Sequence, residues 1–234
     1  MVSPYFYSRN NKMTMKAKLI GYTQATPHLD TALDTVQDLI AYCAKVSNPQ
    51  GQMNMESSDR LLSYLIKHKH WSPFEMASAT IEVITTRDIA RQFLRHRSFS
   101  FQEFSQRYAN PESMSKTFVV REARLQDPKN RQNSVATDDV DLQAQWDALQ
   151  WELIRHAKQT YDWAISKGIA KEQARAVLPE GNTVSTLYAN GTIRSWIHYV
   201  ELRSANGTQK EHMELAVAVG KAIAEIFPMI GEDR

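Results

Sequence analysis

The sequence has little cysteine and no long apolar run. Cys43 is the only cysteine among 234 residues, which excludes an intrachain disulfide framework and a metal site built from clustered thiolates. Gly220, Lys221 and Glu225 interrupt the richest apolar stretch, so no segment reaches the roughly 18 apolar residues of a spanning helix. We expect a cytoplasmic protein with no membrane span and no bound metal.

Glycine motifs and a one-sided charge are also missing. The eight glycines form neither G-x-G-x-x-G nor G-x-x-x-x-G-K, which excludes the dinucleotide-binding fingerprint and the phosphate-binding loop. The 28 basic and 26 acidic residues give a net charge of +2, so no large positive field favours a polyanion as partner. A nucleotide bound here would have to be held by side chains and helix ends.

The hydrophobic pattern of the sequence predicts alternating strands and helices. Residues 17–23 resemble a strand and residues 29–46 a helix. Residues 76–85 alternate, with Ala77, Ala79, Ile81 and Val83 on one face, as in a half-buried strand. We expect a further strand over residues 183–189, which residues 190–192 connect by a turn to a helix over residues 193–202. Its inward face would be formed by Ile193, Trp196, Ile197 and Val200. We expect a mixed α+β fold, with a central, mainly antiparallel sheet and flanking long helices. It forms a single domain over residues 13–234, after a flexible segment, residues 1–12.

The longest predicted helix covers residues 142–167. Its apolar side chains recur at helical spacing and predict one buried stripe, formed by Trp146, Leu149, Leu153, Ala157, Tyr161 and Ala164. Gly168 follows as a terminator. The segment before it, residues 110–141, is rich in polar residues and predicts a long excursion from the fold.

Arginine is concentrated between residues 95 and 108. Arg95, Arg97 and Arg107 lie in the run RHRSFSFQEFSQRY. If the chain is extended from Gln102 onward, Glu103, Ser105 and Arg107 point to one side. An acceptor, a hydroxyl and a planar cation on one surface suit a sugar hydroxyl and a phosphate.

Other interpretations of this run remain open. It could be a solvated charged face, or a surface for single-stranded nucleic acid, because the arginines alternate with Phe99, Phe101 and Phe104. The weak net charge disfavours the second. Ser105 as a nucleophile with His96 as base is disfavoured, since no G-x-S-x-G turn surrounds it.

The same run resembles the signature of the flavin-dependent thymidylate synthases. Arg95, His96 and Arg97 are followed, after seven residues, by Ser105, and Gln92 stands three residues before Arg95. Further blocks appear in the family's order: His70 with Ser72-Pro73-Phe74-Glu75, ARAVLP with Arg175, TIRSWIHYVELR with Arg194, His198 and Arg203, and Gln209 with Glu211. The resemblance covers residues 47–211.

This resemblance implies a reductive methylation of dUMP to dTMP. Methylenetetrahydrofolate would supply the carbon, and FAD reduced by NADPH would supply the hydride, with no enzyme thiol, which agrees with Cys43 as a core residue. Arg203 would be the catalytic residue that polarises or ionises the uracil ring. The resemblance assigns dUMP to Gln92, Arg95, Glu103, Ser105, Gln106, Arg107, Arg175 and Arg203. It assigns FAD to Ser72, Arg95, His96, Arg97, Glu103, Thr192, Arg194 and His198.

The resemblance also implies a homotetramer with active sites shared between chains, and small-molecule substrates with no nucleic acid. Three positions depart from the family pattern: Gln102, Met76 and Gly207. They keep open a flavin- and nucleotide-binding protein that has lost methyl transfer, beside the alternative of a nucleic-acid-binding protein.

Overall fold

The computed structural model describes residues 15–26, 33–107 and 117–231. The predicted N-terminal segment, residues 1–12, lies outside these ranges, as do residues 29–32 of the first predicted helix. The strands are β1 (Lys16–Tyr22), β2 (Ser78–Thr86), β3 (Ser100–Glu103), β4 (Arg124–Gln126), β5 (Ser134–Ala136) and β6 (Val184–Thr192). The helices are α1 (Val36–Ala44), α2 (Ser58–Lys67), α3 (Arg87–Phe93), α4 (Val140–Ser166), α5 (Lys171–Ala174), α6 (Ile193–Ser204) and α7 (Lys210–Ala224).

Four strands form one antiparallel sheet in the order β1, β2, β6, β3. β2 and β6 pair along their whole length, from Ser78 opposite Thr192 to Thr86 opposite Val184. β3 extends the sheet from Ser100 opposite Asn190 to Glu103 opposite Leu187. Helices pack on the sheet, so the predicted mixed α+β fold with a mainly antiparallel sheet is confirmed.

The main core lies between one face of the sheet and the helices α1, α6 and α7. Ala79, Ile81 and Val83 of β2 are fully buried there, as the period-two pattern predicts, and Ala77 just before the strand joins them. Trp196 of α6 and Leu215 of α7 are buried in this core on the side of the helices. This packing fixes the rotation of α6 and α7 relative to the sheet.

The prediction that residues 190–192 form a turn is wrong, because β6 continues to Thr192 and α6 begins at Ile193 without a loop. The backbone N–H of Ile193 still pairs with the carbonyl of Ala77. Gly191 allows this close passage, since a Cβ there would lie 2.4 Å from the Phe99 ring. Thr192 is therefore both the last residue of β6 and the residue directly before α6.

The buried stripe predicted for α4 is only half correct. Ala157, Tyr161 and Ala164 are buried, but Trp146, Leu149 and Leu153 are 43%, 60% and 55% exposed. The N-terminal half of the helix packs through Gln150, whose amide pairs with the backbone of Arg121. In the part of the chain that is described, no helix is long and apolar enough to cross a membrane.

Other local predictions also change. The excursion contains a hairpin of β4 and β5, and residues 110–116 within it lie outside the described ranges. The first helix begins only at Val36, where Thr35 and Asp38 form a capping box. Cys43, expected in the core, is half-buried, and burial raises the pKa of its thiol.

Candidate active site

Arg203 and His96 meet where the end of α3 approaches α6. The Nε of Arg203 donates a hydrogen bond to the Nε2 of His96, with a length of 3.0 Å. Tyr199 is buried and lies one helical turn before Arg203, so the packing of Tyr199 brings Arg203 to the same side of α6. The ring of His96 stands edge-on to the ring of Tyr199, with centroids 5.1 Å apart. Packing in the core thus determines where this cation lies.

The electrostatic surroundings keep His96 neutral. Burial and then the positive charges of Arg203 and Arg95 lower the pKa of His96 to about 4. A neutral imidazole has one nitrogen that accepts, and here Nε2 accepts from Arg203, so Nδ1 carries the proton. His96 therefore fixes the orientation of the Arg203 guanidinium without adding a second positive charge.

Gln92 belongs to the same group of side chains. Its Nε2 donates to the Oε1 of Gln209 at 2.8 Å, and its Oε1 lies 3.2 Å from Nδ1 of His212. The His212 side chain is fully buried on α7, with its ring centroid 6.3 Å from that of His96. We call Gln92, His96, Arg203 and His212 the junction cluster, because they join α3, α6 and α7.

Glu103 is held at the end of β3 by two partners. The hydroxyl of Ser185 donates to its Oε1 at 2.7 Å, and Nη1 of Arg87 lies 3.2 Å from the same oxygen. Ser185 stands on the neighbouring strand β6 and is fully buried. The carboxylate assigned to both dUMP and FAD thus has a fixed position.

The prediction that Glu103, Ser105 and Arg107 share one side of a strand is wrong. β3 ends at Glu103, and Gln106 and Arg107 form a turn. The hydroxyl of Ser105 accepts from the backbone N–H of Arg107 at 3.3 Å, while Gln106 is buried and Arg107 is exposed. A turn, not the pleat of a strand, therefore places these side chains.

Arg107 and Arg175 approach the same acidic residue. Nη2 of Arg107 lies 3.6 Å from a carboxylate oxygen of Glu172, and Nε of Arg175 donates to the Glu172 backbone carbonyl at 3.4 Å. Arg175 follows α5 directly, in a 3-10 turn. The structure thus brings together two cations that lie far apart in the sequence.

The remaining predicted residues surround the N-terminus of α6. Thr192 caps this helix by accepting from the N–H of Ser195 at 3.3 Å. Arg194 pairs with Glu75, in the 3-10 turn that also contains Ser72. The ring of His198 stands edge-on to that of Trp71, with centroids 4.5 Å apart.

Arg95 and Arg97 complete the predicted set. Both are exposed, and they lie beyond the end of α3 on either side of His96. These two cations, both assigned to the cofactor, are therefore adjacent to the junction cluster and exposed to solvent.

Sequence reasoning missed several residues that hold the predicted ones in place. They are His212 beside Gln92, Ser185 and Arg87 beside Glu103, Glu172 beside Arg107, and Trp71 beside His198. The only signal for His212 was its place directly after Glu211, in a block already recognised. The others had no sequence signal, because each is brought in by strand pairing or helix packing.

Comparison with known proteins identifies the family. Residues 29–229 match the family described as thymidylate synthase complementing protein. A relative from Paramecium bursaria Chlorella virus 1, named a probable flavin-dependent thymidylate synthase, is 50% identical over 218 residues, covering 93% of this chain and 98% of the relative. The flavin-dependent thymidylate synthase of Synechocystis is 44% identical over 218 residues, covering 92% of this chain and 97% of the relative.

A solved structure shows the same architecture. It is a UMP/dUMP methylase, PolB from Streptomyces cacaoi, bound with 5-Br dUMP, with 25% sequence identity and a TM-score of 0.77. The match covers 94% of this chain and 93% of that one. The family match covers residues 29–229, a range that includes every residue of the junction cluster, and the two relatives cover 93% and 92% of the chain. This chain belongs to the flavin-dependent thymidylate synthase family.

Proposed function

We propose that the protein converts dUMP to dTMP, with methylenetetrahydrofolate as carbon donor and NADPH as the source of the hydride. The balanced reaction consumes dUMP, methylenetetrahydrofolate, NADPH and a proton, and yields dTMP, tetrahydrofolate and NADP⁺. The observation that carries the proposal is the junction cluster, where an oriented guanidinium stands beside two neutral histidines and an amide. The reaction itself is inferred from the family to which the chain belongs.

Arg203 is the proposed catalytic residue. One of its five N–H donors is used in the bond to His96, and the two Nη groups carry the other four. A fixed cation beside the uracil ring stabilises the negative charge that develops there when the ring becomes nucleophilic at C5. The neutral state of His96 preserves this arrangement, because an imidazolium would have no nitrogen that could accept from Arg203.

Ser105, Arg107 and Arg175 are the proposed contacts of the dUMP phosphate. Two guanidinium groups beside Glu172 offer charge-assisted, bidentate donors of the kind that phosphate accepts. Glu103, Gln106, Gln92 and Arg95 are the remaining proposed dUMP contacts. The Arg107 side chain is 52% exposed beside Glu172.

The residues around the start of α6 fit FAD, which carries the hydride from NADPH to the pyrimidine. A dinucleotide without a glycine-rich loop needs cations and a helix N-terminus for its diphosphate. Thr192 caps such a terminus, and Arg194 stands one turn from His198. Ser72, Arg95, His96, Arg97 and Glu103 complete the proposed set, in which the Trp71 ring supports His198.

We also propose a homotetramer in which two chains complete each site. The exposed apolar half of α4 supports association, since Leu149 and Leu153 are more than half exposed. Light scattering after size-exclusion chromatography should give about four times the chain mass of 26.8 kDa. Residues 13–234 would act as one catalytic domain in the cytoplasm, where a reducing environment suits the single Cys43.

The test is dTMP formation by the purified protein under anaerobic conditions. The complete mixture contains FAD, NADPH, methylenetetrahydrofolate and dUMP, and control mixtures omit one component each. Product that requires all four would establish the reaction. Absence of product with faster flavin reduction in the presence of dUMP would show that the sites exist and that methyl transfer is lost. Absence of both would contradict the proposal.

A further inference from the structure

A chain of hydrogen bonds runs from Glu211, in the first turn of α7, through Gln209 and Gln92 to His212. The Nε2 of Gln209 donates to a carboxylate oxygen of Glu211 at 2.9 Å. The Oε1 of Gln209 accepts from Gln92, and the Oε1 of Gln92 faces Nδ1 of His212. Glu211 itself forms an ion pair with Arg121 at 3.8 Å. Four side chains from two helices are thus connected in series.

The direction of this chain is set at one end. An ionised carboxylate only accepts hydrogen bonds, so Gln209 must present its NH₂ group to Glu211 and its carbonyl oxygen to Gln92. Gln92 must then present its NH₂ group to Gln209, because two carbonyl oxygens would repel each other. The Gln92 oxygen is left facing His212, which can meet it only by donating from Nδ1.

We propose that His212 is a positioning residue for the dUMP site, whose Nδ1–H donor fixes the Gln92 amide in the one orientation that Gln209 and Glu211 also require. The inference rests on the proposed function, because it takes Gln92 as a dUMP contact. In this orientation one N–H and one lone pair of the Gln92 amide remain for the nucleotide. A flipped amide would offer the N–H and the lone pair in the wrong order.

The burial of His212 supports this role over a purely structural one. Its side chain is fully buried, and in the described part of the chain its Nε2 has no hydrogen-bond partner. Burial, followed by the positive charge of Arg203, lowers the pKa of His212 to about 3, which keeps the ring neutral. A leucine at this position would remove the unsatisfied Nε2 but would leave the Gln92 oxygen without its donor, so the contribution of the histidine is the contact to Gln92. Leucine has no donor that could replace the Nδ1–H of His212.

The test compares two substitutions of His212 in the FAD-loaded protein. His212→Leu removes the donor, whereas His212→Asn keeps an N–H near the position of Nδ1. Calorimetric titration with dUMP should show an increase in Kd of about tenfold for His212→Leu and less than about threefold for His212→Asn. FAD content should be unchanged in both, and the melting temperature should fall by no more than about 3 °C.

Glu214→Gln is the matched control. Glu214 lies on α7 near His212 but is exposed and pairs with Lys210, outside the hydrogen-bonded chain. This variant should bind dUMP as the unmodified protein does. Equal dUMP affinity of His212→Leu and the unmodified protein would overturn the inference, as would equal losses of affinity and stability in both His212 variants. Failure of the unmodified protein to bind dUMP would instead overturn the proposed function, and the inference with it.

A second measurement does not depend on the folding of the leucine variant. In protein with ¹⁵N-labelled histidine, nitrogen shifts distinguish the two neutral tautomers, and the signal that is lost in His212→Asn identifies His212. The inference requires the Nδ1–H tautomer at pH 7. A proton on Nε2 would overturn it, because the Gln92 oxygen would then have no donor.

Discussion

Arg203 on the last turn of α6 donates to His96, which follows α3, across a sequence separation of 107 residues. The bond exists because Tyr199, Trp196 and Phe93 pack together and bring the ends of the two helices into contact. A neutral imidazole accepts from the guanidinium and leaves its charge undiminished. The core therefore controls the orientation of the proposed catalytic cation.

Replacing Arg203 by alanine should abolish methyl transfer and preserve the fold. The substitution removes a half-buried cation at a helix end and no part of the apolar core. We expect dTMP formation to fall by a factor of at least about 100, since one charge-stabilising group contributes that much in a preorganised site. Product formation under the anaerobic conditions above measures the loss.

Arg155→Ala is the control for that variant. Arg155 is an exposed cation on α4 whose ion pair with Glu152 spans one helical turn. It should retain full activity and FAD content. Full activity in Arg203→Ala would contradict the assigned role.

Replacing Arg107 by lysine should weaken dUMP binding. Lysine keeps the charge but loses the planar fork that binds two phosphate oxygens at once. We expect the dUMP Kd to rise by about tenfold, with FAD content unchanged. Arg131→Lys, in the exposed loop between β4 and β5, is the matched control and should have no effect. An unchanged Kd in Arg107→Lys would argue against the phosphate contact.

The half-buried His96 and the buried His212 should make the fold sensitive to mild acid. Burial lowers the pKa of His96 to about 4 and that of His212 to about 3, whereas both titrate near 6.5 in the unfolded chain. Between these values the unfolded state binds more protons, so stability is complete above pH 6.5 and is lost as the pH falls. Urea unfolding at pH 7, 6 and 5 should show a falling midpoint.

The contribution of His212 can be separated by comparison with His212→Leu. The pKa of His198 is also lowered by burial, so its contribution has the same sign and is present in both proteins. The free energy of unfolding of the leucine variant should fall less between pH 7 and pH 5, because its unfolding takes up as much as one proton fewer. Identical pH dependences would show that His212 does not titrate as described.

The sequence predicts the strand β2 and the inward face of α6 correctly, because each has a clear periodicity that only one packing can satisfy. The buried positions Ala79, Ile81 and Val83 follow period two, and Trp196 and Val200 follow the helical period. For α4 the same reasoning fails in the first half. Helical spacing places Trp146, Leu149 and Leu153 on one side but does not say whether anything within the chain covers that side.

The site was predictable in its residue types but not in its arrangement. A resemblance in motif identifies Arg203 and His96, yet only the crossing of α3 and α6 makes them partners. The end of β3 at Glu103 was missed because the alternation of residues continues past the last paired residue. His212 was missed since a single histidine, here between Glu211 and Met213, carries no periodic signal.

Replacing Gly191 by alanine should destabilise the protein and loosen the cofactor site together. The new Cβ would lie 2.4 Å from the Phe99 ring, which is itself packed against Trp196, so the ring cannot move freely. Overpacking of this kind costs about 1 to 3 kcal/mol. For a chain of this length the melting temperature should fall by about 3 to 10 °C.

The same substitution should affect FAD because of its position. Gly191 precedes Thr192, the capping residue of α6, and a shift of the strand end moves both the cap and Arg194. Gly181→Ala provides the control, since nothing lies within 4 Å of the added Cβ there. Thermal melts and FAD absorbance of the two purified variants measure both effects. If Gly191→Ala melted like Gly181→Ala and kept its FAD, the contact between Gly191 and Phe99 would not position the start of α6.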